Sequence, residues 1–178
     1  AGKVLRVDGE AWGQKDVEFL RVLDLPRRVP ELPLAVAIGR TGDDGVPADM
    51  ITAGGWRVLD PSTVCPDWSS YQDFLRRSRG EFSVAKETYV KARTGWFSCR
   101  SACYLAAGRP VVAQDTGWSR VLPTGRGLFA FRGPDDAADA LRAADADPAG
   151  HGRAARVIAE EYFDSRLVLD DLLDRIGA

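Results

Sequence analysis

The stretch Thr94-Gly95-Trp96-Phe97-Ser98 runs directly into a helical pattern, and this is where the residue types favour chemistry. Ser98 is a good N-cap, because its hydroxyl oxygen can accept a bond from a free amide of the first turn. Gly95 lets a ligand come close to the backbone. A helix N-terminus with uncommitted N–H groups favours an anion, above all a phosphate. Arg100 and Ser101 fall in the first turn and add a guanidinium and a hydroxyl for charge-assisted bonding. The chemistry implied is capture of a phosphate-bearing ligand. An ordinary capped helix is the reading that the local pattern leaves open.

Other chemistries are excluded by counting. The single histidine, His151, stands in Ala-Gly-His-Gly-Arg, so neither a histidine-based triad nor a multi-histidine metal site can be built. Its expected role is that of a loop or helix-start residue. Cys65, Cys99 and Cys103 are odd in number and contain no Cys-x-x-Cys pair. That argues against a disulfide framework or a zinc site, and a reducing cytoplasm is the simplest setting. No metal is expected. Cys99, Ala102, Cys103 and Ala106 recur at i, i+3, i+4 and i+7, which predicts a buried stripe of small residues with inert thiols.

The elements that must position these residues alternate in type. Strands are expected at residues 4–7, 34–38, 56–59, 81–85, 110–113 and 127–131, with a loop at 39–45. Helices are expected at 16–23, 68–78, 98–107, 135–146, 153–162 and 166–176, Pro26 stopping the first and Gly108 closing the third. Residues 86–97 read as a long loop. The expected fold is α/β: a Rossmann-like parallel sheet with helices on both faces and a C-terminal helical tail packed on the core. In such sheets ligands sit outside the carboxyl ends of the strands, which is where the 94–98 loop falls.

The segment Tyr104-Leu-Ala-Ala-Gly-Arg-Pro-Val-Val112 resembles the "E-A-x-A-x-G-x-P-V-V" of bacterial group-1 GT-B glycosyltransferases. Asp115-Thr116-Gly117 and Gly125-Arg-Gly-Leu-Phe129 resemble the Gly loop and "G-x-G-x-x" segment that follow it, and residues 155–172 resemble the family's ending. Gly9 and Lys15 resemble its Gly…Lys phosphate clamp at the first loop. Where retaining members carry two glutamates eight positions apart, this chain has Gly95 and Cys103.

The resemblance implies a single Rossmann-like domain over residues 1–178, the C-terminal half of a two-domain enzyme. Its ligand would be a nucleoside-diphosphate sugar, bound as substrate and not as cofactor, with the acceptor held by an N-terminal domain. Leaving-diphosphate stabilisation would fall to Lys15, Lys86, Ser98 and Arg100, with Thr94, Gly95 and Ser101 beside them. Asp115, Thr116 and Gly117 would meet the sugar hydroxyls. No general base can be named. A non-catalytic module binding a nucleotide, sugar or protein is the competing expectation. A dehydrogenase-like enzyme is disfavoured, because no Gly-rich fingerprint follows the first strand.

The bulk numbers bound the partners. The 178 residues carry a net charge of −2 and 45% hydrophobic residues. That suits a globular domain and gives no electrostatic case for nucleic acid. No apolar run approaches the roughly 20 residues of a transmembrane helix.

Overall fold

The computed structural model describes residues 5–39 and 46–177. Most of the expected 39–45 loop, and residue 4 of the expected first strand, lie outside the described residues. The chain opens with an antiparallel hairpin, β1 (Leu5–Val7) and β2 (Glu10–Trp12), turning through Asp8 and Gly9 at positive φ. Helices α1 (Lys15–Leu20) and α2 (Leu25–Arg28) follow. Pro26 sits in the first turn of α2, where its missing N–H costs nothing, so it starts that helix and does not stop α1, which already ends at Leu20.

Next come β3 (Ala35–Ala37), α3 (Ala48–Ala53) and β4 (Arg57–Leu59), with β3 and β4 paired in parallel. Helices α4 (Pro61–Val64) and α5 (Trp68–Arg77) lead to β5 (Glu81–Ser83). Asp67 caps α5 through a reciprocal box with Ser70. After β5, residues 87–92 form α6 (Glu87–Ala92) where a loop was expected. Then follow α7 (Cys99–Ala106), β6 (Val111–Gln114) and β7 (Leu128–Phe131). The chain closes on α8 (Pro134–Ala146), α9 (Pro148–Tyr162) and α10 (Ser165–Ile176). His151 lies in the first turn of α9, and its Nδ1 accepts a bond from the Gly127 amide at 3.2 Å.

Strands β5, β6 and β7 form a parallel sheet in sequential order, and period-2 alternation gives it two apolar faces. Val111, Ala113 and Leu128 pack with Leu105 of α7 and Ala155, Ile158 and Ala159 of α9. Val112, Phe129 and Phe131 pack on the other side with Ala137, Ala140 and Ala144 of α8 and with Leu25, Ile51 and Trp56. Helices on both faces of a parallel sheet make the architecture Rossmann-like. The aromatic series Phe19–Trp56–Phe82–Phe131, with centroid spacings of 5.2, 5.8 and 5.0 Å, joins the β3–β4 pair to the larger sheet through one core. Helices α8 and α9 pack back on the sheet, and α10 lies against α9. The α10 residues Leu169, Leu172, Leu173 and Ile176 remain exposed.

One expectation is reversed by this packing. Cys99, Cys103 and Ala106 are exposed on α7, and the buried face is Ser101, Tyr104 and Leu105. Both stripes have helical spacing. Tyr104 and Leu105 remove far more apolar area from water than two thiols and two methyls, so they take the core side.

Candidate functional site

The N-terminus of α7 is capped as expected: the Ser98 hydroxyl oxygen accepts from the Arg100 amide at 3.3 Å. Arg100 itself turns back onto β5. Its Nε donates to Glu81 Oε1 at 2.5 Å and its Nη2 to Ser83 Oγ at 2.8 Å. Ser101 is fully buried, and among the described residues its hydroxyl has no partner. It borders a void of about 10 Å³ shared with Ser83, Trp96, Phe97, Ser98 and Trp118. That is room for one water molecule and not for a diphosphate. Phe97 closes the approach, stacked on Phe163 and edge-on to Trp118, each at 5.4 Å. A ligand must therefore be met by groups around this helix end and not by its amides.

Those groups are held by two interlocked loops at the carboxyl ends of β5 and β6. The Gly95 amide donates to the Thr116 carbonyl at 2.9 Å, and Thr116 Oγ1 donates to the Trp96 carbonyl at 2.6 Å. Thr94 Oγ1 accepts from the Trp96 amide at 3.3 Å. Gly117 must be glycine: its φ is +104°, and a Cβ there would stand 3.0 Å from the Arg93 carbonyl oxygen. Gly95, at φ +75°, has open space where a side chain would be. Thr94, Gly95, Thr116 and Gly117 thus form one bracket, with Thr116 buried and Gly95 on its exposed lip.

Asp115 anchors the bracket. Its side chain is 0% exposed, and its Oδ1 accepts from the Gly117 amide at 2.8 Å and the Ser119 hydroxyl at 3.0 Å. Its Oδ2 receives Arg132 through Nε at 3.2 Å and Nη2 at 3.0 Å, with Arg93 Nη2 at 3.6 Å. Burial alone would raise the Asp115 pKa, but the bonds from Gly117, Arg132 and Ser119 outweigh it and hold the carboxyl below its usual range. With both oxygens engaged, Asp115 builds the loop and leaves two arginines at the rim.

A second charged group gathers about Lys15. Burial, then the charges of Arg100 and Lys86, hold Lys15 below the ordinary lysine range, and Glu81 opposes them. Lys86 and Arg100, from two separate segments, therefore both lie within electrostatic reach of Lys15. Lys86 is exposed at the start of α6, its Nζ 5.6 Å from the centroid of Tyr89, which stacks on Trp96 at 5.1 Å. Helix α6 is fixed to the N-terminal segment by Glu87, which accepts from the Gly13 amide at 2.5 Å and pairs with Lys91 and Arg21 at 3.3 and 3.4 Å.

Arg93 and Arg132 are rim residues that sequence reasoning missed. Each has a positional signal: Arg132 directly follows the last residue of β7, and Arg93 directly precedes the Thr94-Gly95 loop. Among the described residues no group of three or more His, Cys, Asp or Glu side chains is placed to hold a metal ion, and no helix is long and apolar enough to cross a membrane. No protein-family model matches the chain, and no curated protein matches it either.

Proposed function

We propose that this chain is the donor-binding half of a GT-B glycosyltransferase, taking the diphosphate of a nucleoside-diphosphate sugar at the carboxyl ends of its parallel strands. The observation that carries the reading is that Lys86 and Arg100 both act on Lys15, with Arg100 bonded to Glu81 beside it. Three cations against Glu81 leave an excess of positive charge, and Lys86, three residues past Ser83, brings it toward the carboxyl end of β5, the side on which α/β ligands sit. Such preorganised charge stabilises a departing diphosphate without a metal. The rim arginines Arg93 and Arg132 extend the same field. The sugar would face the Gly95 lip, and the acceptor would come from an N-terminal domain. The free thiols of Cys65, Cys99 and Cys103 fit a reducing compartment.

The engagement of both Asp115 oxygens favours a second reading, a nucleotide-binding module without catalysis, because this carboxylate has no free lone pair for a proton. Thermal shift with UDP, GDP, TDP and NAD tests the donor-site proposal, since ligand bound to the native state raises Tm by mass action. A uridine, guanosine or thymidine diphosphate should stabilise the chain, and Lys15→Ala with Lys86→Ala should remove most of that shift. Stabilisation by NAD alone, or an unchanged shift in the double variant, refutes it. Turnover by the protein joined to its acceptor domain separates enzyme from binding module.

A further inference from the structure

We propose that the cleft bordered by α1, β3 and β5 receives the base of the nucleotide, and that two buried carboxylate oxygens in it, on Glu81 and Asp16, select guanine. The inference rests on the donor-site reading and adds to it the identity of the base.

The cleft has a volume of about 1130 Å³, ample for a nucleoside beside its diphosphate. Phe19 of α1, Val36 of β3 and Phe82 of β5 line it, with the buried Trp56. The Trp56 ring centroid lies 5.2 Å from that of Phe19 and 5.8 Å from that of Phe82, so the three rings make one aromatic wall. A planar base lies flat on such a wall and leaves water. Lys15 and Arg100, which the donor reading assigns to the diphosphate, line the same cleft. The phosphate and base positions are therefore contiguous.

What the cleft lacks is donors. Glu81 Oε1 takes Arg100, but Oε2 is buried and, among the described residues, has no hydrogen-bond partner, in a side chain only 4% exposed. Asp16 Oδ1 is buried and unpartnered in the same way. Glu81 and Asp16 both border the cleft, and Asp16 directly follows Lys15 in sequence. A buried carboxylate oxygen without a donor is costly, and a ligand that brings the donor relieves that cost. Guanine carries N1–H and the exocyclic N2–H₂ side by side on one edge, and both donate. Its O6 accepts, and a backbone donor is at hand. The Glu81 amide bonds the Pro110 carbonyl on the β6 side, so alternation turns the Phe82 amide away from β6 and into the cleft. Uracil and thymine present one N–H between two carbonyl oxygens, which would face the carboxylates. Adenine presents a ring-nitrogen lone pair beside its amine. Each of these bases leaves one acceptor unpaired and sets a lone pair against it, so the oxygens that hold guanine also reject the others.

Isothermal titration of the full chain with the diphosphates of guanosine, inosine, adenosine and uridine is the test. GDP should bind at least about tenfold tighter than UDP or ADP. Inosine diphosphate, which keeps N1–H and lacks the 2-amino group, should fall between. Asp16→Asn and Glu81→Gln keep the shape and remove the charge, and each should cut the ratio of GDP to UDP affinity roughly fivefold or more. A general loss of fold lowers both affinities alike and leaves the ratio unmoved. Lys86→Ala, which does not border the cleft, should weaken GDP and UDP equally. UDP or ADP binding as tightly as GDP overturns the base assignment and leaves the diphosphate site standing. So does a ratio that survives both carboxylate variants. Failure of every nucleoside diphosphate to bind overturns the donor-site reading and this inference together.

Discussion

Replacing Asp115 with Asn removes one charge and little else. Asn Oδ1 can still accept from the Gly117 amide and the Ser119 hydroxyl, now 2.8 and 3.0 Å away. Its amide nitrogen then faces the guanidinium of Arg132, which holds Oδ2 at 3.0 and 3.2 Å, with Arg93 behind at 3.6 Å. A shielded charge-assisted bond is worth about 1.5–3 kcal/mol. The Arg132 side chain is 69% exposed. Each of its bonds is therefore discounted to about 0.5–1 kcal/mol. Asp115→Asn should thus cost about 1.5 kcal/mol, a Tm lower by about 3–6 °C for a chain of this size. The pH dependence follows from the depressed carboxyl. A group ionised more readily when folded contributes stability above its unfolded pKa, about 3.9, and loses it as pH falls through the folded value. The gap between wild type and variant should be constant near neutrality and narrow below about pH 4. Differential scanning calorimetry from pH 7 to pH 3 reads both. Equal Tm values at pH 7, or a gap that persists undiminished in acid, would show that the twin-arginine anchor is not an ionised carboxylate.

Two other substitution and labelling experiments bear on the packing. Gly127→Ala should destabilise by at least about 2 kcal/mol, because φ is +77° and a Cβ would collide with the backbone amide of Ala155. Gly95→Ala, with open space at φ +75°, should cost only the left-handed penalty of about 1–2 kcal/mol, and urea unfolding of the two variants ranks them. In the native protein, Cys99 and Cys103 should react quickly with an aromatic disulfide reagent. Cys65 should lag, since burial pushes its thiol pKa up. Protection of all three thiols would return α7 to the orientation in which its small residues face the core.

Strands β5, β6 and β7 and helix α7 were legible because each is an apolar or periodic run bounded by glycine or proline: Gly80, Gly95, Gly108, Pro110 and Gly127. Helix α6 was not. Its six residues, Glu-Thr-Tyr-Val-Lys-Ala, carry little period, and what fixes it is Glu87 bonding to Gly13, a contact 74 residues away in sequence. Periodicity gives the spacing of a face but not which face is buried, and this misplaced Cys99 and Cys103. The loop residues Thr94, Gly95, Thr116 and Gly117 were found as two separate motifs. Only the structure joins them, through the bond between Gly95 and Thr116. It also commits Arg100 to Glu81, which no local pattern announces, because the partner lies 19 positions upstream on a strand. The rim arginines escaped notice because a single Arg at a strand end looks like any solvated residue until a buried Asp is seen beneath it.

Helix α10 has 12 residues and none of them is buried. Helices of that length are marginal in water when they stand alone, and most helical stability comes from a packed apolar face. Its caps, Asp164 at the start and Gly177 at the end, set where it begins and stops but contribute little to holding it wound. The far end of the chain should accordingly open and close much faster than α8 or α9, and its winding becomes a gauge of whether another surface has come to rest against Leu169, Leu172, Leu173 and Ile176.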